Sequence, residues 1–321
     1  MKKLGLLAGL LFVMVAAAAI YAASQLGAAT IREETSFTIP AGASLGQVAE
    51  KLEGEGLISS AKGFRLRARL LGSSAPVQAG EFLLTPGMSQ GEILQAFQSG
   101  DVIRRFVTIP EGMPSILVWE RVMAEELLTG EVPVPPEGSV LPDTYDFERG
   151  EPRARLVERM QAAMDRALAE EWAKRSPDIA VDTPEEALIL ASIVEKETGK
   201  PEERRMVAGL YSNRVKQGMR LQADPTIIYP ITQGKPLGRR IRQSEIAAVN
   251  GYNTYTRVGL PVGPITNPGR ASIAAVLNPE ATNALFMVAD GTGGHWFAAT
   301  LAEHNANVAK WYAIRRERGE M

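Results

Sequence analysis

One pattern, used three times in the first 125 residues, does most to limit what this chain can fold into. A short β-like run meets a proline with a glycine close behind, and a helical run opens after a serine. It reads FTIPAGASLGQVAEKL from Phe37, FLLTPGMSQGEILQAF from Phe82 and FVTIPEGMPSILVWERV from Phe106. Proline and glycine stop each strand and set a turn. Ser44 and Ser89 are natural helix N-caps, and apolar residues follow at helical spacing: Val48 and Leu52, then Ile93, Leu94 and Phe97. The uneven placement of Pro40, Pro86 and Pro110 argues against a solenoid. A small α+β unit that reuses one strand-turn-helix element is expected.

Composition narrows the chemistry. With 321 residues the chain is long enough for about two domains. It has no cysteine, so disulfide scaffolds, thiolate zinc sites and cysteine nucleophiles are excluded. Its two histidines, His295 and His304, form no HExxH, and neither a metal nor a cofactor is expected. Lysine and arginine number 35 against 37 acidic residues, which is not the balance of a nucleic-acid-binding protein.

The charges are unevenly placed. After Lys2 and Lys3 no charge occurs from Leu4 to Leu26, and the apolar part, residues 4–23, is 20 residues long. A helix of that length spans the roughly 30 Å of a bilayer core. Lysines on the short side predict a cytoplasmic N-terminus, with the rest of the chain outside the inner membrane. A cleaved signal peptide is the alternative, with Ala22 and Ala23 near its cleavage site. Its apolar stretch would be longer than the usual 7–15 residues or so.

A Pro/Gly-rich loop is expected over residues 131–145, followed by a helix from Arg153 to Trp172. Thr183, Pro184 and Glu186 form a capping box with proline at the first helical position, opening a helix that runs to Thr198. A third helix is expected from Glu202 to Gln217, and a loop-dominated region beyond Gly218. On the Thr183–Thr198 helix, Ile189, Leu190, Ile193 and Val194 span an arc of roughly 140°. Glu197 projects inside that arc, at about 80°, and Glu195 falls outside it, at about 240°. A carboxyl pointing toward a core is desolvated, its pKa rises, and it can serve as a general acid near neutrality. The competing reading is a last-turn glutamate that emerges beyond the core. Glu195 reads as a solvated or structural carboxylate, and Lys196 as exposed.

Downstream, residues 219–226 end on an Asp224-Pro225 turn signal. Tyr252-Asn253-Thr254-Tyr255 sets aromatic faces beside hydrogen-bonding groups, which suits sugar rings and also suits an ordinary hairpin. Asp290-Gly-Thr-Gly-Gly-His295 lacks the phosphate-loop patterns and reads as a glycine-rich turn, with His295 a hydrogen-bonding turn residue.

Taken together, LPDTY from Leu141, ASIVEKET from Ala191, Asn213-Arg214, GMRLQADPT from Gly218, YNTY from Tyr252, GLPVGPITNPG from Gly259 and FMVADGTGGHWF from Phe286 resemble the endolytic murein transglycosylase (YceG-like) family. The resemblance covers nearly the whole chain. It implies a cytoplasmic tail (1–3), a transmembrane helix (4–23), a linker (24–35), a LysM-like α+β domain (36–105) and a mixed α+β catalytic domain (106–321). It also implies a single-pass inner-membrane enzyme that cuts peptidoglycan glycan strands internally. The resemblance places the catalytic role on the second glutamate of the EKE triplet, here Glu197. Its implied reaction gives 1,6-anhydro ends and needs one carboxylate where ordinary glycosidases use two. Gln222, Asp224, Tyr252, Asn253 and Tyr255 are expected to hold the sugar, with Glu195, Thr254 and His295 in support. Peptidoglycan synthases are candidate partners through the resemblance and the anchor. Two alternatives stay open: a muramidase-type hydrolase using Glu197 and Asp224, and a non-catalytic peptidoglycan-binding scaffold.

Overall fold

The structure, a computed structural model, describes residues 13–16, 29–71 and 75–320. The anchor expected over residues 4–23 lies almost wholly outside them. Among the described residues no helix is long and apolar enough to cross a membrane. The chain divides into two compact units, one ending at Arg105 and one beginning at Phe106.

The first unit follows the repeated strand-turn-helix element. Strand β1 (Thr35–Ile39) pairs antiparallel with β2 (Gly80–Leu84), Phe37 lying opposite Phe82. Helices α1 (Leu45–Gly54) and α2 (Ala61–Leu71) stand between the strands in sequence, and α3 (Gln90–Ser99) follows β2. Ser44 and Ser89 each cap a helix within a complete capping box, with Gln47 and Glu92 returning the bond. The turns between strand and cap need positive φ, supplied by Gly42 at 78° and Gly87 at 89°. Phe37, Phe82 and Phe97 close the core, with ring centroids 5.5 and 4.8 Å apart.

Strand β3 (Arg105–Thr108), in the second unit from Phe106 onward, pairs with β4 (Thr144–Phe147). Between them lies α4 (Ser115–Ala124), and after them the long α5 (Arg153–Ala173). Val107, Ile109, Val118, Val122, Leu156 and Met160 form their shared core. The third strand-turn-helix copy departs from the expected serine cap. Pro114 occupies the N-cap without a side-chain bond. Ser115 is the first helical residue, buried, its N–H donating to Glu137 at 2.9 Å and its hydroxyl to the Pro136 carbonyl at 3.1 Å.

A second core joins α6 (Pro184–Glu197), α7 (Arg204–Lys216) and α10 (Arg270–Leu277) through Leu190, Ile193, Val194, Val207, Leu210, Ile273 and Val276. Each such side chain stabilises the fold by about 1.5–3 kcal/mol through burial alone. Thr183 caps α6, but the expected capping box is only half made: Glu186 reaches back to the Asp182 N–H at 2.7 Å instead of to Thr183. The 3₁₀ turn Pro201–Glu203 precedes α7. The region beyond Gly218 is more helical than its glycines and prolines suggest, with α8 (Pro225–Thr232), α9 (Gln243–Ile246), α10 and α11 (Leu301–Glu317). Pro225 takes the first position of α8, where a missing N–H costs nothing. The glycine-rich stretch from Asp290 turns the antiparallel hairpin β5 (Phe286–Ala289) and β6 (His295–Ala298).

Candidate active site

Helix α6 carries its buried face to its last residue. Leu190, Ile193 and Val194 are fully buried, and Glu197 continues that face at the helix end, half-buried. Burial pushes its carboxyl up to about 7, helped by the negative charge of Asp224, while a hydrogen bond from the Tyr211 hydroxyl and the positive charge of Arg214 pull the other way. The carboxyl is thereby held in the range where it can give up a proton near neutrality. Glu197 thus follows the buried face of α6 as the inward-pointing reading expects, and is half-buried at the helix end.

The floor beneath Glu197 comes from α7. Tyr211 and Arg214 are three residues apart and so share one helix face. Tyr211 is buried, and desolvation together with the Glu197 charge holds its phenol well above its ordinary range, so it stays a hydrogen-bond donor. Arg214 is buried too. Its Nε donates to the Leu285 carbonyl and its Nη1 to the Leu221 carbonyl, both at 2.6 Å. It thus ties α7 to the loop before α8 and to the approach to β5. Nothing in the periodicity marked Tyr211 or Arg214; a polar pair at i, i+3 among Val207, Ala208 and Leu210 was the available signal.

Two loops stand beside this floor, stapled by Thr254. The Thr254 hydroxyl accepts from the Ala223 N–H at 3.0 Å and meets the Thr226 hydroxyl at 2.8 Å, and its carbonyl accepts from the Gln222 N–H at 3.2 Å. Gln222 is exposed, with φ at 53°, in the left-handed region that costs a non-glycine residue roughly 1 kcal/mol or more. Asp224 is also exposed and accepts a 2.6 Å bond from the Tyr255 hydroxyl. Burial and the Asp224 carboxylate push the Tyr255 phenol up. Asp224 and Tyr255 both interact electrostatically with the Glu197–Arg214 group. The structure therefore brings Glu197, Asp224 and Tyr255 together, with Gln222 on the same loop.

Asn253 and His295 depart from expectation, and Glu195 does not. Asn253 was expected to hold sugar, yet it is wholly buried. Its amide donates to the carbonyls of Glu245, Ile246 and Ala248, and its oxygen accepts from the Tyr255 N–H. It shapes the loop from within. Tyr252 is half-buried against Tyr229, centroids 4.7 Å apart, and Tyr229 hydrogen-bonds Glu137, whose carboxyl burial pushes up. Glu195 is the structural carboxylate of its two readings. It accepts from the Gly269 N–H at 2.9 Å and the Ser272 hydroxyl at 2.7 Å, holding the N-terminus of α10, where negative charge is favoured. His295 begins β6 and is not a turn residue; its Nδ1 lies 2.8 Å from Glu203, which also accepts from the His295 N–H. Among the described residues no group of histidine and carboxylate side chains is arranged to hold a metal.

An acid poised near neutrality, set between a buried tyrosine–arginine pair and an exposed polar loop, is equipment for general-acid cleavage of a polar substrate. Comparison with known sequences gives that class its family: the YceG-like family profile matches residues 37–310, and the chain belongs to that family. It is 26% identical over 315 residues to an endolytic murein transglycosylase of Bacillus subtilis (strain 168), covering 88% of this chain and 86% of that one. An endolytic murein transglycosylase of Streptococcus pneumoniae serotype 2 (strain D39) is 28% identical over 332 residues. That match spans 88% of this chain and 59% of the pneumococcal protein's length. The crystal structure of a putative YceG-like protein from Listeria monocytogenes superposes with a TM-score of 0.52 at 27% identity, covering 85% of this chain and 99% of that one.

Proposed function

We propose that this chain is an endolytic lytic transglycosylase of peptidoglycan, cutting the β-1,4 bond between N-acetylmuramic acid and N-acetylglucosamine inside glycan strands. The observation that carries the reading is Glu197, its carboxyl raised to about 7 by burial and by Asp224. The activity in the relatives' names agrees with it.

Protonated Glu197 gives its proton to the bridging oxygen as the bond from the muramyl C1 breaks. The same residue, now a carboxylate, takes the proton from the muramyl C6 hydroxyl as that oxygen bonds to C1. Proton and charge balance without water, and the product ends in a 1,6-anhydro ring. Asp224, kept in place by Tyr255, lends negative charge near the electron-poor C1. Tyr211 orients the carboxyl, and Arg214 stabilises its ionised form midway through the cycle. The uncharged segment of residues 4–23 would tether the enzyme to the inner membrane, with its active unit outside the cytoplasm. The β-α-α-β order from β1 to β2 supports a LysM-like reading of the first unit. Peptidoglycan synthases remain candidate partners of a tethered enzyme.

Digestion of purified peptidoglycan with mass spectrometry of the product ends tests the reading. Anhydro-muramyl ends are expected. Reducing muramyl ends would instead mark a hydrolase with Asp224 as second carboxylate, the reading that the Asp224–Glu197 charge coupling favours next. No cleavage at all would leave a binding scaffold. The pH profile gives a further expectation. Because Glu197 must start protonated and its pKa is about 7, kcat/KM should fall about tenfold per pH unit once pH exceeds that value. Asp224→Asn removes a charge that raises the pKa, so its falling limb should begin at lower pH.

A further inference from the structure

A groove of about 540 Å³ in the second unit lies outside the machinery just described. Lys196 and Pro225 line it, and these are the chain neighbours of Glu197 and Asp224. Consecutive helical residues diverge by about 100°. Glu197 can thus face the bond being cut while Lys196 faces the groove. Most of its wall is apolar, with Met113, Pro114, Leu117, Ile228 and Leu237 prominent. The wall is also fixed: the Gly112 N–H donates to the Asn267 carbonyl at 3.0 Å, and the Gly112 carbonyl accepts from Lys196 at 3.3 Å.

The charges on the lining are unequal. Lys235 is held by Glu120 at 2.5 Å, and Glu111 is engaged by Arg204 at 3.4 Å. Lys196 is exposed and, among the described residues, has a carbonyl but no carboxylate for a partner. An apolar channel lined by one cation that no carboxylate pairs suits an extended, methyl-bearing chain that carries a carboxylate. Peptidoglycan supplies one. The muramyl residue at the cleaved bond bears, on its lactyl ether, a stem peptide of alanine methyls and free carboxylates.

We propose that this groove receives the stem peptide of the muramyl residue being cut, with Lys196 binding a stem carboxylate. The site rests on the transglycosylase reading and adds a specificity to it. Stem-bearing strands are then better substrates than strands stripped of their peptides by an amidase.

The test compares kcat/KM on both substrates for the full chain, Lys196→Met, Lys196→Arg and the groove-filling Leu237→Trp. The unaltered chain should prefer stem-bearing strands by about tenfold, the scale of one charge-assisted hydrogen bond. Lys196→Met and Leu237→Trp should bring that ratio close to one, and Lys196→Arg should keep most of it. A chain that cuts both substrates equally overturns the stem site and leaves the transglycosylase reading standing. A chain that prefers stem-bearing strands with a ratio unmoved by Lys196→Met and Leu237→Trp puts the peptide elsewhere and overturns the site too. Failure to cut either substrate overturns both.

Discussion

Glu197→Gln should lower glycan cleavage by about 10³- to 10⁴-fold while the chain stays folded, because in the proposed mechanism one group serves as acid and then as base in a single cycle. The amide keeps the size of the carboxyl and an oxygen for the Tyr211 hydroxyl, but it has no acidic proton to deliver. The same substitution should stabilise the fold at alkaline pH. In the folded chain the Glu197 pKa is raised from 4.5 to about 7, so its contribution to stability is complete below pH 4.5 and is lost as pH rises through 7. The loss amounts to about 3 kcal/mol at the upper bound, at roughly 1.4 kcal/mol per pH unit. Urea denaturation at pH 5 and pH 8 should therefore find the variant near the unaltered chain at the first and more stable at the second. Glu195→Gln is the control. It weakens the hold on the α10 N-terminus and should cost stability first. Loss of cleavage in the Glu195 variant with retention in the Glu197 variant would reverse the assignment of acid and scaffold.

What could be read from the sequence follows how local each feature is. Ser44, Ser89 and Thr183 cap helices through bonds three residues long, and all three were visible as cap signals. Glu197 was also legible, because a helix wheel reports direction and the apolar arc of α6 is continuous. Ser115 misled for a local reason: Pro114 can itself occupy the N-cap, and the serine is then consumed by Glu137, 22 residues away. Asn253 misled for a distant one. An asparagine beside tyrosines satisfies the composition of a sugar site and of a buried loop staple alike, and only its three backbone carbonyl partners decide between them. The same limit hid the groove beside Lys196, whose walls come from separate segments between Pro110 and Ile265.

Arg214 should be the costliest of the residues the sequence left without a role. Arg214→Met removes a buried cation and strands the carbonyls of Leu221 and Leu285, a loss of about 3–5 kcal/mol by the usual cost of breaking a buried charged network. It also removes the positive charge that favours ionised Glu197, so the Glu197 pKa should rise above 7 and the falling limb of the pH profile should move to higher pH. Stability and pH profile then shift together. Arg214→Lys separates them. An ammonium keeps the charge but cannot reproduce the guanidinium fork that reaches both carbonyls, so it should lose stability while the pH limb stays near its original place. Denaturation midpoints and pH–rate profiles of the two variants measure both effects. A methionine variant whose limb moves to lower pH would mean that Arg214 does not act on Glu197 through its charge. Should the lysine variant shift the limb as far as methionine does, the geometry of the fork, more than the charge it carries, would be what holds the acid near neutrality.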